Sequence, residues 1–268
     1  MTPADQASME SLWLPAQRAH IRYRDFDGAE PALVLLHGMG SASSLDFPRI
    51  ARQPALSAFR FILPDFLGFG SSDRPADFDY SLESHAETVY ELLEHLGLSQ
   101  VCLFGHSMGG AVAVALTAAH PDLVDRLVLA EANLDPGVGQ ASKRIAAQTE
   151  ERYVREGHER FVTVIQRSIE TAGTPTSYGD ALAMADPVAM HRSSVGLIRG
   201  TVPAQRDLFL SWTMPRAFIF GERSLPDPDV ENLRAGGIDV RIVPGAGHDM
   251  MHENPEGFGR VLLEAFGL

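Results

Sequence analysis

The segment Val101-Cys-Leu-Phe-Gly-His-Ser-Met-Gly-Gly110 joins a short apolar run to an alanine-rich helical pattern. Its centre, Gly105-His106-Ser107-Met108-Gly109, is a G-x-S-x-G pattern between a predicted strand and a predicted helix. A turn this tight forces its central residue into a strained backbone conformation, and glycines on both sides remove side chains that would collide. The Ser107 hydroxyl is then held above the sheet at a helix N-terminus, whose dipole favours developing negative charge. The pattern therefore predicts a reactive serine.

Short apolar runs alternate with helical patterns on both sides of this segment. The predicted strands are residues 11–15, 20–26, 32–36, 59–63, 101–104, 127–130, 218–220 and 240–243. The predicted helices are residues 82–98, 108–120 and 255–266. This alternation predicts an α/β fold with a mostly parallel central sheet flanked by helices.

The strand pattern stops between residues 134 and 212, where the sequence is mostly helical. We therefore expect a core formed by residues 1–133 and 213–268, with residues 134–212 as a helical cap inserted above the carboxyl edge of the sheet. Ligands of open α/β sheets bind at that edge, so the insertion is a candidate lid, and an appended helical subdomain is the alternative. Its apolar residues either line a substrate pocket or form the insertion's own core: Phe161, Val164, Ile165, Leu182, Met184, Met190, Leu197 and Ile198.

Composition excludes several classes of protein. The 268 residues are 45% hydrophobic and 21% charged, which is typical of a globular chain. Lys and Arg number 22 against 35 Asp and Glu, giving a net charge of −13 that argues against nucleic acid or an anionic membrane as the main partner. The single cysteine, Cys102, excludes an internal disulfide framework and a cysteine zinc cluster.

The sequence also shows no targeting signal. Residues 1–10 are polar and acidic, without the basic and apolar regions of a secretory signal. The longest apolar runs, such as residues 111–119, are shorter than the 18 or more residues of a membrane span. We therefore expect a cytoplasmic protein whose partner is a small-molecule substrate.

Four motifs in a fixed order make the sequence resemble the α/β-hydrolase superfamily. They are similar to the family's oxyanion loop, its D-x-x-G-x-G-x-S loop, its nucleophile elbow and its histidine loop, at residues 35–40, 65–75, 105–110 and 244–248. The resemblance covers nearly the whole chain apart from the insertion. It implies the α/β-hydrolase fold with a cap, and a hydrolase that uses a serine.

The resemblance also assigns roles to single residues. A serine hydroxyl needs an adjacent base, and His248 fits because it follows a predicted strand in a glycine-bounded loop. The family pattern implies that the backbone N–H groups of Met39 and Met108 form the oxyanion hole. Of the neighbouring histidines, we expect His37 to shape its loop and His106 to point to the other side of the turn and pack.

The acid of the triad departs from the family's commonest pattern. Relatives usually carry an aspartate in a G-x-x-D segment after the seventh strand, but this chain reads Gly221-Glu-Arg-Ser224 there. A serine cannot hold a negative charge against an imidazolium, so another carboxylate is required. We predict Glu131, which ends the preceding strand, where certain haloalkane dehalogenases place their acid.

Other arrangements of the acid stay open. Asp227, Glu222 and Asp135 are alternative carboxylates, and a Ser–His dyad without an acid is a further possibility. His248 and His252 superficially match an H-E-x-x-H zinc pattern, but the glycines before them and Pro255 after them argue against the helix that such a site needs. We therefore expect neither a metal nor another cofactor.

These residues predict hydrolysis of a carboxylic ester of a modest, largely apolar substrate. Thioester, lactone and carbon–carbon bond hydrolysis on the same triad are alternatives, and so is a non-catalytic ligand-binding member of the fold. The resemblance disfavours dehalogenation and epoxide hydrolysis, since those branches use an aspartate nucleophile and this chain has Ser107.

Overall fold

An eight-stranded sheet forms the centre of the molecule. A computed structural model describes residues 8–173 and 176–268, so residues 1–7 of the predicted core and 174–175 of the predicted cap lie outside it. The strands are β1 (Met9–Leu14), β2 (Ala19–Phe26), β3 (Ala29–Leu36), β4 (Phe59–Asp65), β5 (Val101–His106), β6 (Val124–Ala130), β7 (Arg216–Gly221) and β8 (Asp239–Val243).

The strand order is β1-β2-β4-β3-β5-β6-β7-β8. β2 pairs antiparallel with both β1 and β4, and every other pair is parallel. The predicted fold class, a mostly parallel sheet between helices, is confirmed.

Helices cover both faces of the sheet, which explains the continuous apolar runs of its central strands. In β5, Val101 and Leu103 belong to one apolar cluster, and Cys102 and Phe104 belong to the other. The helices of the core are α1 (Ser43–Asp46), α2 (Pro48–Ala51), α3 (Leu82–His95), α4 (Met108–Ala119), α11 (Asp229–Ala235), α12 (Met250–Glu253) and α13 (Pro255–Phe266).

The chain between β6 and β7 is helical. It contains α5 (Gln140–Ala146), α6 (Glu150–Arg152), α7 (His158–Ala172), α8 (Tyr178–Met184), α9 (Pro187–Arg199) and α10 (Gln205–Ser211), with a π-helical turn, Tyr153–Gly157, between α6 and α7. α9 packs on α5 and on α3, and α10 packs on α4. The division of the chain at residues 134 and 212 stays a prediction.

The helices are short relative to a bilayer. Within the two described ranges, none is both long and apolar enough to cross a membrane.

Candidate active site

Ser107 occupies the sharp turn between β5 and α4. Its φ of 52° and ψ of −117° lie outside the regions that L-residues normally adopt. The flanking glycines make this turn possible, because a Cβ on Gly105 would lie 2.4 Å from the carbonyl oxygen of Gly109. A Cβ on Gly109 would lie 2.5 Å from the carbonyl oxygen of His37. The strained turn that the sequence predicted is therefore present.

Ser107 and His248 line one cavity above the carboxyl edge of the sheet. The cavity has a volume of about 190 Å³. His248 follows β8, in the glycine-bounded loop that the sequence indicated, and its side chain is 54% exposed. The predicted nucleophile and the predicted base thus face the same small space.

Glu131 lies directly behind His248. Its Oε2 is 3.7 Å from Nδ1 of His248. Its Oε1 accepts a 2.9 Å hydrogen bond from the backbone N–H of Gly221, and its own N–H donates to Ile219. Like Ser107, Glu131 has a positive φ, 47°, which turns its side chain out of the end of β6. The backbone of β7 therefore holds this carboxylate beside the imidazole.

Ser224 supports the same carboxylate. It occupies the position where the family pattern would carry the acid, and its side chain helps to lower the pKa of Glu131. Burial alone would raise the pKa of Glu131, but His248, the Gly221 N–H and Ser224 outweigh it and hold the pKa below its usual value. Glu131 is therefore ionised at neutral pH. The sequence could not show this role of Ser224, because it depends on where Glu131 points.

The other candidate acids form contacts with groups other than His248. Glu222 accepts a hydrogen bond from Gly245, Asp227 accepts one from Asp229, and Asp135 forms an ion pair with Arg206. Among the carboxylates of the described chain, Glu131 is the one within ion-pair distance of the His248 side chain.

The electrostatic surroundings favour protonated His248. Loss of solvation lowers the pKa of this imidazole, but the carboxylates of Glu131, Asp249 and Glu253 outweigh that effect, so the net pKa lies above its ordinary value. An imidazole in this setting can take a proton from a neighbouring hydroxyl and keep it through a reaction step.

The loop after β3 carries Met39, whose backbone N–H is one of the two predicted oxyanion donors. Nδ1 of the buried His37 donates to the carbonyl of Gly38 over 2.7 Å, while Nε2 accepts from the N–H of Phe66 over 3.1 Å. These bonds fix the tautomer of the ring and the plane of the Gly38–Met39 peptide. His37 shapes its loop, as expected. Burial lowers its pKa, so the ring stays neutral.

The two backbone N–H groups predicted to form the oxyanion hole, those of Met39 and Met108, have no hydrogen-bond acceptor within the described residues. Met108 begins α4, where the first N–H groups of a helix have no intrahelical partner. From the insertion, the Tyr178 hydroxyl donates to the carbonyl oxygen of Met39 over 3.3 Å, which adds a second support to the loop.

His106 differs from expectation. Its ring does not point away from the reactive side of the turn; it lines the cavity, with its centroid 4.8 Å from that of His248. Its Nε2–H donates to the carbonyl oxygen of His248 over 2.9 Å, which draws the ring to that side. Burial and the neighbouring His248 lower the pKa of His106 to about 3, so this ring is neutral.

His252 is not paired with His248. The sequence argued against a helix that aligns the two rings, and α12 does not align them, because it begins at Met250 and contains His252 but not His248. Nε2 of His252 instead lies 3.1 Å from Oδ1 of the buried Asp46. Burial alone would raise the pKa of Asp46, but hydrogen bonds from His252 and Ser41 outweigh it and lower the pKa. No local sequence pattern reveals this pair, because its members are 206 residues apart.

Both polar and apolar residues line the cavity. Among the described residues that line the cavity, none is one of the eight apolar residues singled out in the insertion. The insertion instead contributes Ala141 and Tyr178. Leu182 and Met190 are buried instead, whereas Val164 is 58% exposed. Polar side chains of the core also line the cavity: Ser41, Asp46, Asp249 and His252.

Known proteins share this fold and sequence pattern. A family model described as "alpha/beta hydrolase fold" matches residues 31–172. Haloalkane dehalogenase 2 of Mycobacterium bovis is 28% identical over 276 residues, covering 96% of this chain and 95% of the relative. The structure of a mutant of the N-acyl homoserine lactonase AidH, complexed with N-hexanoyl homoserine, superimposes with a TM-score of 0.78 at 23% identity and covers 98% of both chains. A thermophilic esterase from Thermogutta terrifontis gives a TM-score of 0.77 at 23% identity, covering 96% of this chain and 97% of the esterase.

Proposed function

The chain belongs to the alpha/beta hydrolase fold family, and on this premise we propose that it is a serine hydrolase that cleaves a carboxylic ester. The observation that supports the proposal most directly is the placement of three side chains. Ser107 and His248 line one cavity, and Glu131 lies 3.7 Å behind the imidazole. We further propose that residues 134–212 act as a cap that closes this cavity.

In the proposed first half-reaction, Ser107 Oγ attacks the ester carbonyl carbon while Nε2 of His248 takes the hydroxyl proton. Glu131 holds Nδ1 of the ring and stabilises the imidazolium. The carbonyl oxygen becomes an oxyanion, to which the N–H groups of Met39 and Met108 donate. When the tetrahedral intermediate collapses, the bond to the alcohol oxygen breaks and His248 protonates that oxygen. The products are a free alcohol and an acyl group on Ser107.

The second half-reaction reverses these roles with water. His248 takes a proton from a water molecule, whose oxygen attacks the acyl carbon. The same two N–H groups bind the second oxyanion. Collapse of this intermediate breaks the bond to Ser107, His248 returns the proton to Oγ, and the carboxylic acid leaves.

A serine at position 107 separates this proposal from dehalogenation, although a haloalkane dehalogenase is among the relatives. An aspartate nucleophile forms an alkyl ester intermediate, in which one carboxylate oxygen bonds to the alkyl carbon and the other remains as the ester carbonyl. A serine instead suits acyl transfer. Lactone hydrolysis would use the same steps as ester hydrolysis, with the alcohol remaining joined to the acyl chain.

Hydrolysis of p-nitrophenyl butyrate tests the proposal. We expect turnover by the wild type and near-complete loss in Ser107→Ala, with both proteins shown to be folded by circular dichroism. A folded wild type that hydrolyses neither this ester nor the corresponding thioester or lactone would contradict the proposal and favour a ligand-binding role.

A further inference from the structure

The charged groups around the cavity do not balance. Two carboxylates each have an imidazole partner, because Glu131 faces His248 and Asp46 faces His252. A third carboxylate, Asp249, also lines the cavity, and none of the described residues of the lining is Lys or Arg. The positive groups that act on Asp249 are the same two imidazoles, so three carboxylates share two imidazoles.

Asp249 lies close to the proposed reaction centre. One of its carboxylate oxygens and one ring nitrogen from each of His106 and His248 all lie within 4.8 Å of one another. Within the described chain its carboxylate accepts no hydrogen bond, although its backbone carbonyl accepts two. Loss of solvation raises the pKa of this carboxyl, as expected for an acid that faces a small cavity instead of bulk water.

His106 supplies a second acceptor without a donor. Its Nε2–H donates to a carbonyl, so Nδ1 carries the lone pair, and this buried atom has no hydrogen-bond partner among the described residues. The residue is 4% exposed. Its Nδ1 faces Gly38 on the cavity wall, where an added Cβ would lie 3.0 Å away. Buried polar groups are nearly always satisfied, so this buried acceptor without a donor, next to the Asp249 carboxylate, indicates a missing donor.

We propose that the cavity selects ester substrates that carry a positively charged amino group, and that Asp249 is the residue that binds this group. The proposal rests on the proposed ester hydrolysis. An ammonium group supplies both the missing positive charge and three N–H donors, whereas a hydroxyl supplies a single donor and no charge. His106 offers a further acceptor on the same side.

Pairs of esters that differ only in this group give a direct test. Alanine p-nitrophenyl ester and p-nitrophenyl isobutyrate differ by an ammonium in place of a methyl on the acyl side. 2-Aminoethyl butyrate and propyl butyrate differ in the same way on the alcohol side. For each pair, kcat/KM of the ammonium ester is divided by kcat/KM of its uncharged partner, and both are measured at pH 6. EDTA is present because a divalent cation would bind the same side chains.

We expect at least one ratio to fall about tenfold or more in Asp249→Asn, since a hydrogen bond between charged groups is lost. A ratio within one variant cancels any effect of the substitution on His248. Glu256→Gln, which removes the same charge from an exposed position of α13, should leave both ratios unchanged.

If Asp249→Asn fails to fold, inhibition of the wild-type protein by small amines and alcohols provides a second measurement. Butylammonium should then inhibit isobutyrate hydrolysis competitively and at least about tenfold more strongly than butanol. Unchanged ratios in Asp249→Asn, or equal inhibition by the two compounds, would overturn the inference while leaving ester hydrolysis intact. Failure of the wild type to hydrolyse every ester would instead contradict the proposed function.

Discussion

The carboxylate of Glu131 lies 3.7 Å from Nδ1 of His248, although Glu131 follows the end of β6 and not of β7. The backbone N–H of Gly221, at the end of β7, donates to the same carboxylate. β6 and β7 are adjacent parallel strands, so an acid at the end of either one can reach the histidine loop.

Glu131→Gln should lower kcat for p-nitrophenyl butyrate by about 100-fold or more, because a missing triad acid can cost about 10⁴ in rate. The amide keeps the size of the side chain but cannot stabilise the imidazolium by charge. Glu222→Gln and Asp227→Asn are matched controls and should stay near the wild-type rate. A fully active, folded Glu131→Gln enzyme would remove Glu131 from the triad.

The pH dependence of kcat/KM should report His248. Its pKa lies above the ordinary value of about 6.5, and the imidazole acts as a base only when neutral. Activity should therefore fall as the pH drops through a midpoint above about 6.5. In Glu131→Gln the residual activity should show a lower midpoint, since a carboxylate that raises this pKa is gone. A midpoint that stays fixed would mean that another group limits the rate.

Ser224→Ala should reduce kcat by roughly twofold to tenfold, because the side chain of Ser224 helps to keep Glu131 ionised. The more demanding experiment is the double variant Glu131→Gln with Ser224→Asp. It moves the carboxylate to the position that the family pattern uses, and we expect it to recover about tenfold of the activity lost in Glu131→Gln. No recovery would show that position 224 cannot present an acid to His248.

Two helical glycines should respond oppositely to alanine. At Gly109 the new methyl would lie 2.5 Å from the carbonyl oxygen of His37, so thermal unfolding should show a loss of about 1–3 kcal/mol or more. At Gly196, in α9, the nearest atom would be 3.8 Å away, and Gly196→Ala should be neutral or stabilising by up to about 1 kcal/mol. Equal effects at the two sites would contradict the tight turn described for Ser107.

Local patterns were sufficient to predict most of the fold. The apolar run at residues 101–104 and the helix at 255–266 are both present in the structure, as β5 and α13. β6 begins at Val124 and not at residue 127, because Asp125 and Arg126 interrupt the apolar pattern while their backbones still belong to the strand. Sequence patterns therefore locate buried strands better than they locate strand ends.

In the candidate site, too, local patterns predicted some residues and left out those that depend on long-range contacts. Ser107 and Met108 could be placed because their turn has a local glycine pattern, and Glu131 because a charge follows an apolar strand. The support from Ser224 and the pair of Asp46 and His252 could not be predicted, since they arise from contacts between distant segments.

Covalent labelling tests the central claim, that Ser107 is the nucleophile, most directly. The protein is treated with a fluorophosphonate, whose phosphorus reacts with an activated serine and loses fluoride, and the digested peptides are analysed by mass spectrometry. We predict one modified peptide, with the added mass on Ser107, together with loss of ester hydrolysis in proportion to labelling, and no labelling of Ser107→Ala. Full labelling with the mass on another residue, or hydrolysis that survives complete modification of Ser107, would contradict the account.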